Sequence, residues 1–368
     1  MIQFESGNFQ KKKKDQIEVS GPKIRVVGVG GAGCGVISRI HTHAWNNINF
    51  VAIDSSSQTL KICGEVEKFQ LGTSANRGWG TGGDREMAGR FAEEAEEEIR
   101  SLLSGVDLLF VVCGLGKGTG SGASPVLLKI AREMGCLSIG FFILPFYFEG
   151  KERVLAAKQS LAKLWQLVDG GVIVSNDVLL QLDRENSANP PLSIEEAFTK
   201  IDEVFENLLK AVEHILYKRG IIDLDFADFR SFLEKRGRLM VFTGKFQREN
   251  FDEESLDDIL RSSIWGKVSI QKARNLLLHV SCGVDFGLAH LEQIVLTLEK
   301  KFTPSLPLKF GVYPDKSLAG QMVITLLSTV AEIPELEVED SEKPVQKELE
   351  IYDEHDLDVP TFLRKQHG

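Results

Sequence analysis

Two glycine-rich segments of this sequence have the composition of phosphate-binding loops. The first is Gly28-Val29-Gly30-Gly31-Ala32-Gly33, and the second runs from Gly114 to Gly122 with glycine at every other position. Each follows an apolar, strand-like run and precedes a helical pattern, where backbone amides and the positive end of a helix dipole attract anions. Two such loops at the same end of one parallel sheet can hold a triphosphate between them. The pattern therefore predicts a nucleotide triphosphate site.

The first loop, taken alone, leaves a different chemistry open. It fits the GxGxxG pattern, and Asp54 ends the next strand roughly 20 residues further on, as in dinucleotide-binding folds. An NAD-dependent oxidoreductase is therefore an alternative, although such a fold needs only one glycine loop. The second loop is not a Walker loop, because glycine follows Lys117. A simple flexible turn is also disfavoured, since so many glycines cost conformational entropy unless something binds them.

The elements that must position these loops alternate between strands and helices. Apolar runs predict the strands, and apolar residues at three- and four-residue spacing predict the helices. The predicted strands are residues 24–29, 50–53, 106–113, 137–144 and 171–174, and the predicted helices are residues 36–45, 84–103, 123–134 and 151–167. This alternation predicts an α/β fold with a Rossmann-like, mostly parallel sheet and helices on both faces.

A long helix separates this part from a second one. Ser193 and Glu196 form a capping-box pattern directly after Pro190 and Pro191. The apolar stripe that follows is wide enough for a helix buried on two sides, as between two domains, and we expect it to end near Gly220. Beyond it, the predicted strands are residues 238–243, 276–281, 309–312 and 322–327, and the predicted helices are residues 254–262 and 290–300. This second part is therefore expected to be a smaller α+β domain.

The predicted organisation has six parts. They are a disordered basic arm (1–22), a nucleotide-binding domain (23–192), the central helix (193–219), the α+β domain (220–330), an acidic linker (331–355) and a C-terminal peptide (356–368). The arm contains four consecutive lysines, and the linker carries ten acids against two lysines between residues 332 and 354. Charge runs of this kind are typical of solvated, unstructured segments.

Composition and charge narrow the class of protein. The hydrophobic fraction of 43% and the charged fraction of 26% are those of a soluble globular protein. No apolar run approaches the roughly 18 residues that a membrane-spanning helix needs, and the net charge of −10 argues against general nucleic-acid binding. The five cysteines form no CxxC pair, which indicates reduced thiols in the cytoplasm. His41 and His43 would face different directions on a helix, so no metal site is predicted from side chains alone.

Several motifs resemble those of the tubulin/FtsZ GTPase family. Residues 116–122 are similar to the family signature GGGTGTG, with Lys117 and Ser121 as departures. Residues 77–83 are similar to the family's phosphate-facing loop, and residues 145–153 resemble PFxFEGxxR, in which the acid and the arginine meet the ribose. The resemblance extends from Lys23 to about Val330 and continues in the last residues.

The resemblance implies GTP or GDP as the cofactor, with Mg²⁺ bound alongside the nucleotide. Asn176 matches the family's guanine-reading asparagine, and Asp202, four residues after Phe198, falls where the family places a second base contact. An aspartate can accept hydrogen bonds from guanine N1 and N2, and an asparagine amide can complement O6 or N3. The implied nucleotide-binding residues are Gly30, Gly31, Ala32, Gly33, Gly35, Gly80, Thr81, Gly116, Lys117, Gly118, Thr119, Gly120, Ser121, Gly122, Pro145, Glu149, Arg153, Asn176, Phe198 and Asp202.

The same resemblance assigns catalysis to an acidic loop after the central helix. Residues 223–229 resemble the family's NxDFADV loop, which inserts into the nucleotide pocket of the next subunit of a head-to-tail homopolymer. There Asp225 and Asp228 would orient and polarise the attacking water, with Asp223 as a third acid where the family has asparagine. Carboxylates suit this task, because phosphoryl transfer depends mostly on positioning and charge stabilisation. The alternative is an ordinary acidic helix cap, which the apolar residues between the acids disfavour.

The last residues carry the most discriminating part of the resemblance. Residues 356–366 are similar to the C-terminal peptide of FtsZ members, D-x-L-D-I-P-x-F-L-R-x-Q. An acidic tether that ends in apolar and basic residues is typical of a motif that folds on binding. The implied partners are membrane-tethering and regulatory division proteins. The implied function is that of a GTPase filament of the cytokinetic ring, in the cytoplasm at mid-cell.

Three positions depart from the family pattern. Gly35 stands where FtsZ members usually have asparagine, Lys117 replaces a glycine, and Asp223 replaces the asparagine of the catalytic loop. A third carboxylate beside a polyanion raises the electrostatic cost of closing the pocket. These departures leave open an alternative, a filament-forming paralogue that binds GTP but hydrolyses it weakly.

Overall fold

A computed structural model describes residues 21–43, 45, 47–72, 76–185, 193–234, 237–261, 265, 272–302 and 306–331. The predicted basic arm up to residue 20, the acidic linker from residue 332 and the C-terminal peptide lie outside the described residues.

Within the described residues, ten strands form one sheet. The strands are β1 (Ile24–Val29), β2 (Ile48–Asp54), β3 (Glu67–Gln70), β4 (Leu108–Gly114), β5 (Leu137–Leu144), β6 (Gly170–Ser175), β7 (Gly237–Gln247), β8 (Ala273–Cys282), β9 (Leu308–Pro314) and β10 (Gln321–Val330). Their order across the sheet is β3-β2-β1-β4-β5-β6-β7-β10-β8-β9. The first six strands are mutually parallel, whereas β10 is antiparallel to both β7 and β8.

The helices follow the strands in the order expected of a βαβ chain. They are α1 (Gly30–Ile40), α2 (Ser57–Lys61), α3 (Arg85–Glu94), α4 (Glu96–Leu102), α5 (Gly118–Glu133), α6 (Lys151–Trp165), α7 (Asp177–Glu185), α8 (Ile194–Tyr217), α9 (Phe226–Leu233), α10 (Glu253–Leu260) and α11 (Leu288–Lys301). The predicted fold class, a Rossmann-like parallel sheet joined by a long helix to a smaller α+β part, is confirmed. The two parts share one sheet, because β7 pairs in parallel with β6 through Gly237 and Gly170.

The central helix α8 is buried along most of its length. Ser193 Oγ accepts the N–H of Glu196 at 3.2 Å, and a side-chain oxygen of Glu196 accepts the N–H of Ser193 at 2.8 Å, so the predicted capping box starts the helix. Phe205 is fully buried, with its ring 4.8 Å from that of Phe141 on β5. Truncating such a residue typically costs about 3–5 kcal/mol. The helix therefore holds the sheet from one face.

The carboxyl-terminal end of α8 lies at the amino-terminal edge of the parallel strands. The hydroxyl of Tyr217, the last residue of α8, donates to the carbonyl of Pro22 and lies 3.4 Å from the carbonyl oxygen of Asn47. These two residues directly precede β1 and β2. Since α8 ends here, the segment that follows it begins at this edge of the sheet.

Three of the predicted helices are wrong in their bounds by several residues. The helix predicted at residues 123–134 begins at Gly118. The helix predicted at residues 36–45 begins at Gly30 and ends at Ile40, because the glycine loop itself forms the first helical turn. The helix predicted at residues 84–103 is two helices that meet at Ala95, whose φ of −101° and ψ of 23° are not helical. Alanine favours helix, so no residue type marks that break. The prediction also lacked α2, β3, α7 and α9.

Candidate nucleotide site

The two glycine loops meet at the carboxyl-terminal edge of the parallel strands. They enclose a cavity of about 320 Å³ that lies beyond the ends of β1, β2 and β4. In open α/β sheets, ligands bind in a crevice at this edge. The cavity is lined by Gly30, Gly31, Ala32, Asp54, Ser55, Gly80, Thr81, Gly82, Gly83, Gly114, Leu115, Lys117, Gly118, Thr119, Gly120 and Arg153.

Two helices begin at the wall of this cavity without a side-chain cap. The residues before their first turns, Val29 for α1 and Lys117 for α5, make no capping hydrogen bond through their side chains. Neither first turn contains an acidic residue. The first amides of a helix lack partners within the helix and carry the positive end of its dipole. Both helix ends therefore suit the phosphates of a nucleotide.

The loops need glycine where they touch their neighbours. Gly30 has a φ of 74°, and a Cβ on it would lie 2.7 Å from the backbone nitrogen of Gly120 in the other loop. Gly116 has a φ of 93°, and a Cβ there would lie 2.6 Å from the carbonyl oxygen of Arg153. Other residues rarely adopt this left-handed backbone. Part of the glycine content therefore serves the packing of loop on loop, in addition to any ligand.

A buried carboxylate faces the cavity. Asp54 is only 4% exposed, and its Oδ1 accepts the N–H of Ser56 at 2.8 Å and the hydroxyl of Thr119 at 3.3 Å. The Thr119 hydroxyl also lies 2.8 Å from Ser55 Oγ. Burial raises the pKa of Asp54, whereas hydrogen bonds from Ser56, Thr119 and Ser55 lower it. Oxygen donors of this kind are the ligands that Mg²⁺ prefers, so the residues present fit a magnesium ion.

An ion pair closes another side of the cavity. Arg153 pairs with Glu149, and Glu149 Oε1 also accepts the N–H of Phe146 at 2.9 Å. Burial lowers the pKa of Arg153, and its Nε is buried without a hydrogen-bond partner among the described residues. Arg153 therefore contributes a cation to the cavity lining.

The residues assigned to the base lie outside the cavity lining. Asn176, 8% exposed, has its side-chain Oδ1 buried without a hydrogen-bond partner within the described chain. Buried polar atoms normally have a partner, so this oxygen fits a position completed by a ligand. Phe198 is partly buried and meets Phe146 edge-on with 6.5 Å between ring centroids. Asp202 is buried and pairs with Arg39 of α1.

The structure divides the other predicted residues into two groups. Those that line the cavity are Gly30, Gly31, Ala32, Gly80, Thr81, Lys117, Gly118, Thr119, Gly120 and Arg153, and those that do not are Gly33, Gly35, Gly116, Ser121, Gly122, Pro145 and Glu149. Ser121, for example, turns inward, and its hydroxyl accepts the N–H of Gly116 at 2.8 Å. The implied residues did not include Ser55, Gly82, Gly83, Gly114 and Leu115, although all of these except Ser55 stand in loops that the sequence analysis singled out. Sequence reasoning noticed Asp54 only as a dinucleotide signal, although an acid that ends a strand beside a glycine loop points to this site as well.

The side chains of the acidic loop form several hydrogen bonds and one ion pair. Asp225 caps α9, where its Oδ1 accepts the N–H of Asp228 at 2.7 Å and Asp228 Oδ2 accepts the N–H of Asp225 at 3.3 Å. Asp228 also pairs with Lys309 of β9 at 2.8 Å, and Lys309 lowers the pKa of Asp228. Asp223 accepts the N–H of Gly220. The three carboxylates therefore sit in one defined conformation.

The acidic loop and the cavity are far apart across the sheet. The backbone directly before the loop is hydrogen-bonded to Val312 of β9, and β9 is six strand positions from β4, or roughly 30 Å. The acids of one chain therefore lie far from its own cavity.

The fold and the site define a nucleotide-binding protein of the tubulin-like class. Residues 23–183 match the description "Tubulin/FtsZ family, GTPase domain", and residues 237–332 match "FtsZ family, C-terminal domain". The chain belongs to the FtsZ family, and the dinucleotide oxidoreductase alternative is thereby excluded. The central helix α8 lies between the two matched segments.

Two named relatives and a solved structure support the same assignment. The chain is 33% identical to "Cell division protein FtsZ 1" of Thermococcus kodakarensis, over 90% of this chain and 86% of that protein. It is 32% identical to "Mitochondrial division protein fszA" of Dictyostelium discoideum, over 84% of this chain but only 59% of that longer protein. Among solved structures, the "FtsZ dimer, empty" of M. jannaschii matches with a TM-score of 0.74 and 31% identity, over 85% of this chain and 89% of that one.

Three further observations concern the rest of the described chain. All five cysteines are buried and free. None of the helices in the described part of the chain has both the length and the apolar character of a membrane span. His43, predicted as an ordinary surface residue, lies 3.0 Å from Glu206 of α8.

Proposed function

We propose that this protein is a GTPase that assembles head to tail and acts in cell division. The separation of the acidic loop from the cavity carries the proposal. In each chain the phosphate-binding elements lie at the ends of β1 and β4, whereas the acidic loop lies beside β9, six strand positions from β4. Stacking one subunit on the next would bring the two together, and a head-to-tail contact whose rotation does not close gives an open filament.

GTP would bind with its phosphates between the starts of α1 and α5. The first-turn amides, Lys117 and Arg153 would meet the phosphates and the ribose, and the unpartnered oxygen of Asn176 would meet the base. Mg²⁺ bound with the nucleotide would neutralise phosphate charge. Asp54, with the hydroxyls of Ser55 and Thr119, would hold it.

Hydrolysis would require the acidic loop of the neighbouring subunit. Asp225 and Asp228 would orient a water toward the γ-phosphate and accept its proton, while the amides of the cavity stabilise the developing charge. The fixed conformation of the loop favours this role over slow, paralogue-like hydrolysis, since the carboxylates are oriented before the subunits meet.

The relatives support the cellular part of the proposal. Proteins named for cell division and for mitochondrial division cover most of this chain, and a related solved structure is described as a dimer. We infer that the filaments act in the cytoplasm at the mid-cell division site, as a division ring. The C-terminal peptide, residues 356–368, would bind membrane-tethering and regulatory division proteins.

The rate of phosphate release per subunit, measured against protein concentration, tests the proposal. If each active site needs a neighbour, the rate per subunit should rise steeply above a threshold, in step with light scattering. A rate that stays constant over a hundredfold dilution would contradict the shared site. Scattering that rises with GTP while no phosphate is released would instead favour the weakly hydrolysing paralogue.

A further inference from the structure

Strand β9 is hydrogen-bonded to the acidic loop and to the residues directly before it. The N–H of Ile221 donates to the carbonyl of Val312 at 2.7 Å, and the N–H of Val312 donates to Ile222 at 2.9 Å. One residue further along β9, the hydroxyl of Tyr313 accepts the N–H of Leu224 at 3.3 Å. The position of the loop is therefore fixed by β9 rather than by α8 alone.

Lys309 lies on the same face of β9 as Tyr313. Residues at alternate positions of a strand share a face, so positions 309, 311 and 313 point toward the loop and α9. Gly311, between the two, leaves room for Tyr313, since a Cβ on this glycine would lie 2.8 Å from the tyrosine ring. Lys309 Nζ then reaches Asp228 Oδ1 at 2.8 Å and Ser231 Oγ at 3.3 Å.

The oxygens of the two catalytic candidates are used unequally. Asp228 has both of its carboxylate oxygens engaged, one by Lys309 and the other by the N–H of Asp225. Asp225 uses Oδ1 for the N–H of Asp228, and its Oδ2 has no hydrogen bond to the described residues. Asp225 is exposed, whereas Asp228 is half-buried. Asp225 thus has one oxygen that no described residue occupies, whereas both oxygens of Asp228 already accept a hydrogen bond.

We propose that Lys309 is a positioning residue for hydrolysis, which fixes Asp228 as the anchor of the loop so that Asp225 can act on the water. The proposal rests on the proposed function, since the water belongs to the cavity of the next subunit. The positive charge of Lys309 also neutralises one of the three aspartates of the loop. This loop must approach a triphosphate. Lys309 thereby offsets the charge that Asp223 adds.

The charged and titratable groups around Asp228 make a pH dependence expected. They are Lys309 and Tyr313 on β9 and Asp223 and Asp225 in the loop. Without Lys309 the hydrogen bonds from Asp225 still lower the pKa of Asp228, but the nearby carboxylates and the incoming phosphates favour its protonation. Loss of Lys309 should therefore impair the enzyme more at pH 6 than at pH 8.

Three variants of the full chain test this role. Lys309→Met removes the charge at similar length, and Lys309→Arg keeps it. Lys301→Met is the matched control, because Lys301 of α11 makes a comparable 2.8 Å pair with Asp257 far from the loop. Phosphate release should be measured above the assembly threshold at pH 6, 7 and 8, with GTP affinity and light scattering in parallel.

We expect Lys309→Met to lower kcat about 10- to 100-fold with little change in GTP affinity. The ratio of wild-type to variant rate should grow as the pH falls, and Lys309→Arg should recover most of the rate. Equal rates for Lys309→Met and Lys301→Met would overturn the proposal, as would a deficit independent of pH. If the wild type itself shows no assembly-dependent phosphate release, the proposed function fails and this role fails with it.

Discussion

The guanidinium of Arg39 donates two hydrogen bonds to the carboxylate of Asp202. Nη2 lies 2.9 Å from Oδ1, and Nε donates to Oδ2. Arg39 is half-exposed near the end of α1, whereas Asp202 is buried on α8. Burial raises the pKa of Asp202, and Arg39 opposes that rise. The helix that begins at the phosphate cavity is therefore tied to the helix proposed to read the base.

We predict that Asp202→Asn changes the base that the protein prefers from guanine to xanthine. An aspartate accepts from guanine N1–H and N2–H, whereas an asparagine amide can donate to the O2 of xanthine. GTP affinity should fall by about 1.5–3 kcal/mol, the value of a hydrogen bond to a charged group, and XTP affinity should rise. Competition binding of the two triphosphates measures both changes.

Glu206→Gln is the control for this exchange. Glu206 lies one turn further along α8 and pairs with His43 and Lys210, so it shares the helix and the ionic setting. Its substitution should leave the preference for GTP unchanged. If Asp202→Asn also leaves it unchanged, Asp202 is a structural partner of Arg39 and does not read the base.

A buried histidine pair should make stability depend on pH. His214 Nδ1 of α8 lies 3.2 Å from His279 Nε2 of β8. Burial lowers the pKa of His214 to about 4 and that of His279 to about 3. An unfolded histidine titrates near 6.5, so below this pH the unfolded chain binds protons that the folded chain excludes. The stabilisation is thus complete above pH 6.5 and is lost as the pH falls toward 4.

We predict that His214→Gln flattens the fall in urea midpoint between pH 7 and pH 5. Each proton that the folded chain excludes changes the free energy of unfolding by about 1.4 kcal/mol per pH unit. The variant should lack the part of this pH dependence that comes from His214. Parallel slopes for the wild type and His214→Gln would show that the pair does not govern acid stability.

The fold was largely predictable because its strands are short apolar runs between clear turn signals. The strand predicted at residues 24–29 is confirmed to the residue, and residues 137–144 likewise. Helix starts were harder to place, since Gly30 and Gly118 have low helix propensity yet begin α1 and α5. Their backbone amides line the cavity. The positions where helix propensity fails to predict a helix start are therefore positions of the candidate site.

The contacts between distant elements were not predictable from spacing. Lys309 and Asp228 are 81 residues apart, and Arg39 and Asp202 are 163 apart. Both pairs depend on which strands are neighbours in the sheet and on the tilt of α8. Charge alone gives each lysine or arginine many possible partners in a chain with 53 acids. The motifs thus indicated which residues matter, whereas the fold determined what each one touches.

A third prediction concerns the C-terminal peptide, which lies outside the described residues. Truncation before Asp356 should leave GTP-driven assembly intact, because the described sheet, its helices and the cavity all lie before residue 332. Binding to a division partner should be lost. Phe362→Ala should weaken it by about 1–3 kcal/mol, the value of a buried aromatic anchor.

Quantitative pull-down from cell extract compares the full chain, the truncated chain and Phe362→Ala. His367→Ala, beyond the apolar anchors, is the control and should recover partners like the full chain. Equal recovery by all four proteins would show that the segment is only a tether.

The last prediction separates binding from hydrolysis within the acidic loop. Asp225→Asn should abolish phosphate release yet bind GTP nearly as tightly as the wild type, since residue 225 lies beside β9, far across the sheet from its own cavity. Asp223→Asn is the control, because an amide oxygen can still accept the N–H of Gly220. In mixtures with wild type, the rate should fall in proportion to the Asp225→Asn fraction, because each variant subunit inactivates only the site that it completes. Loss of nucleotide by the unmixed variant would place Asp225 in the binding site and refute the shared active site.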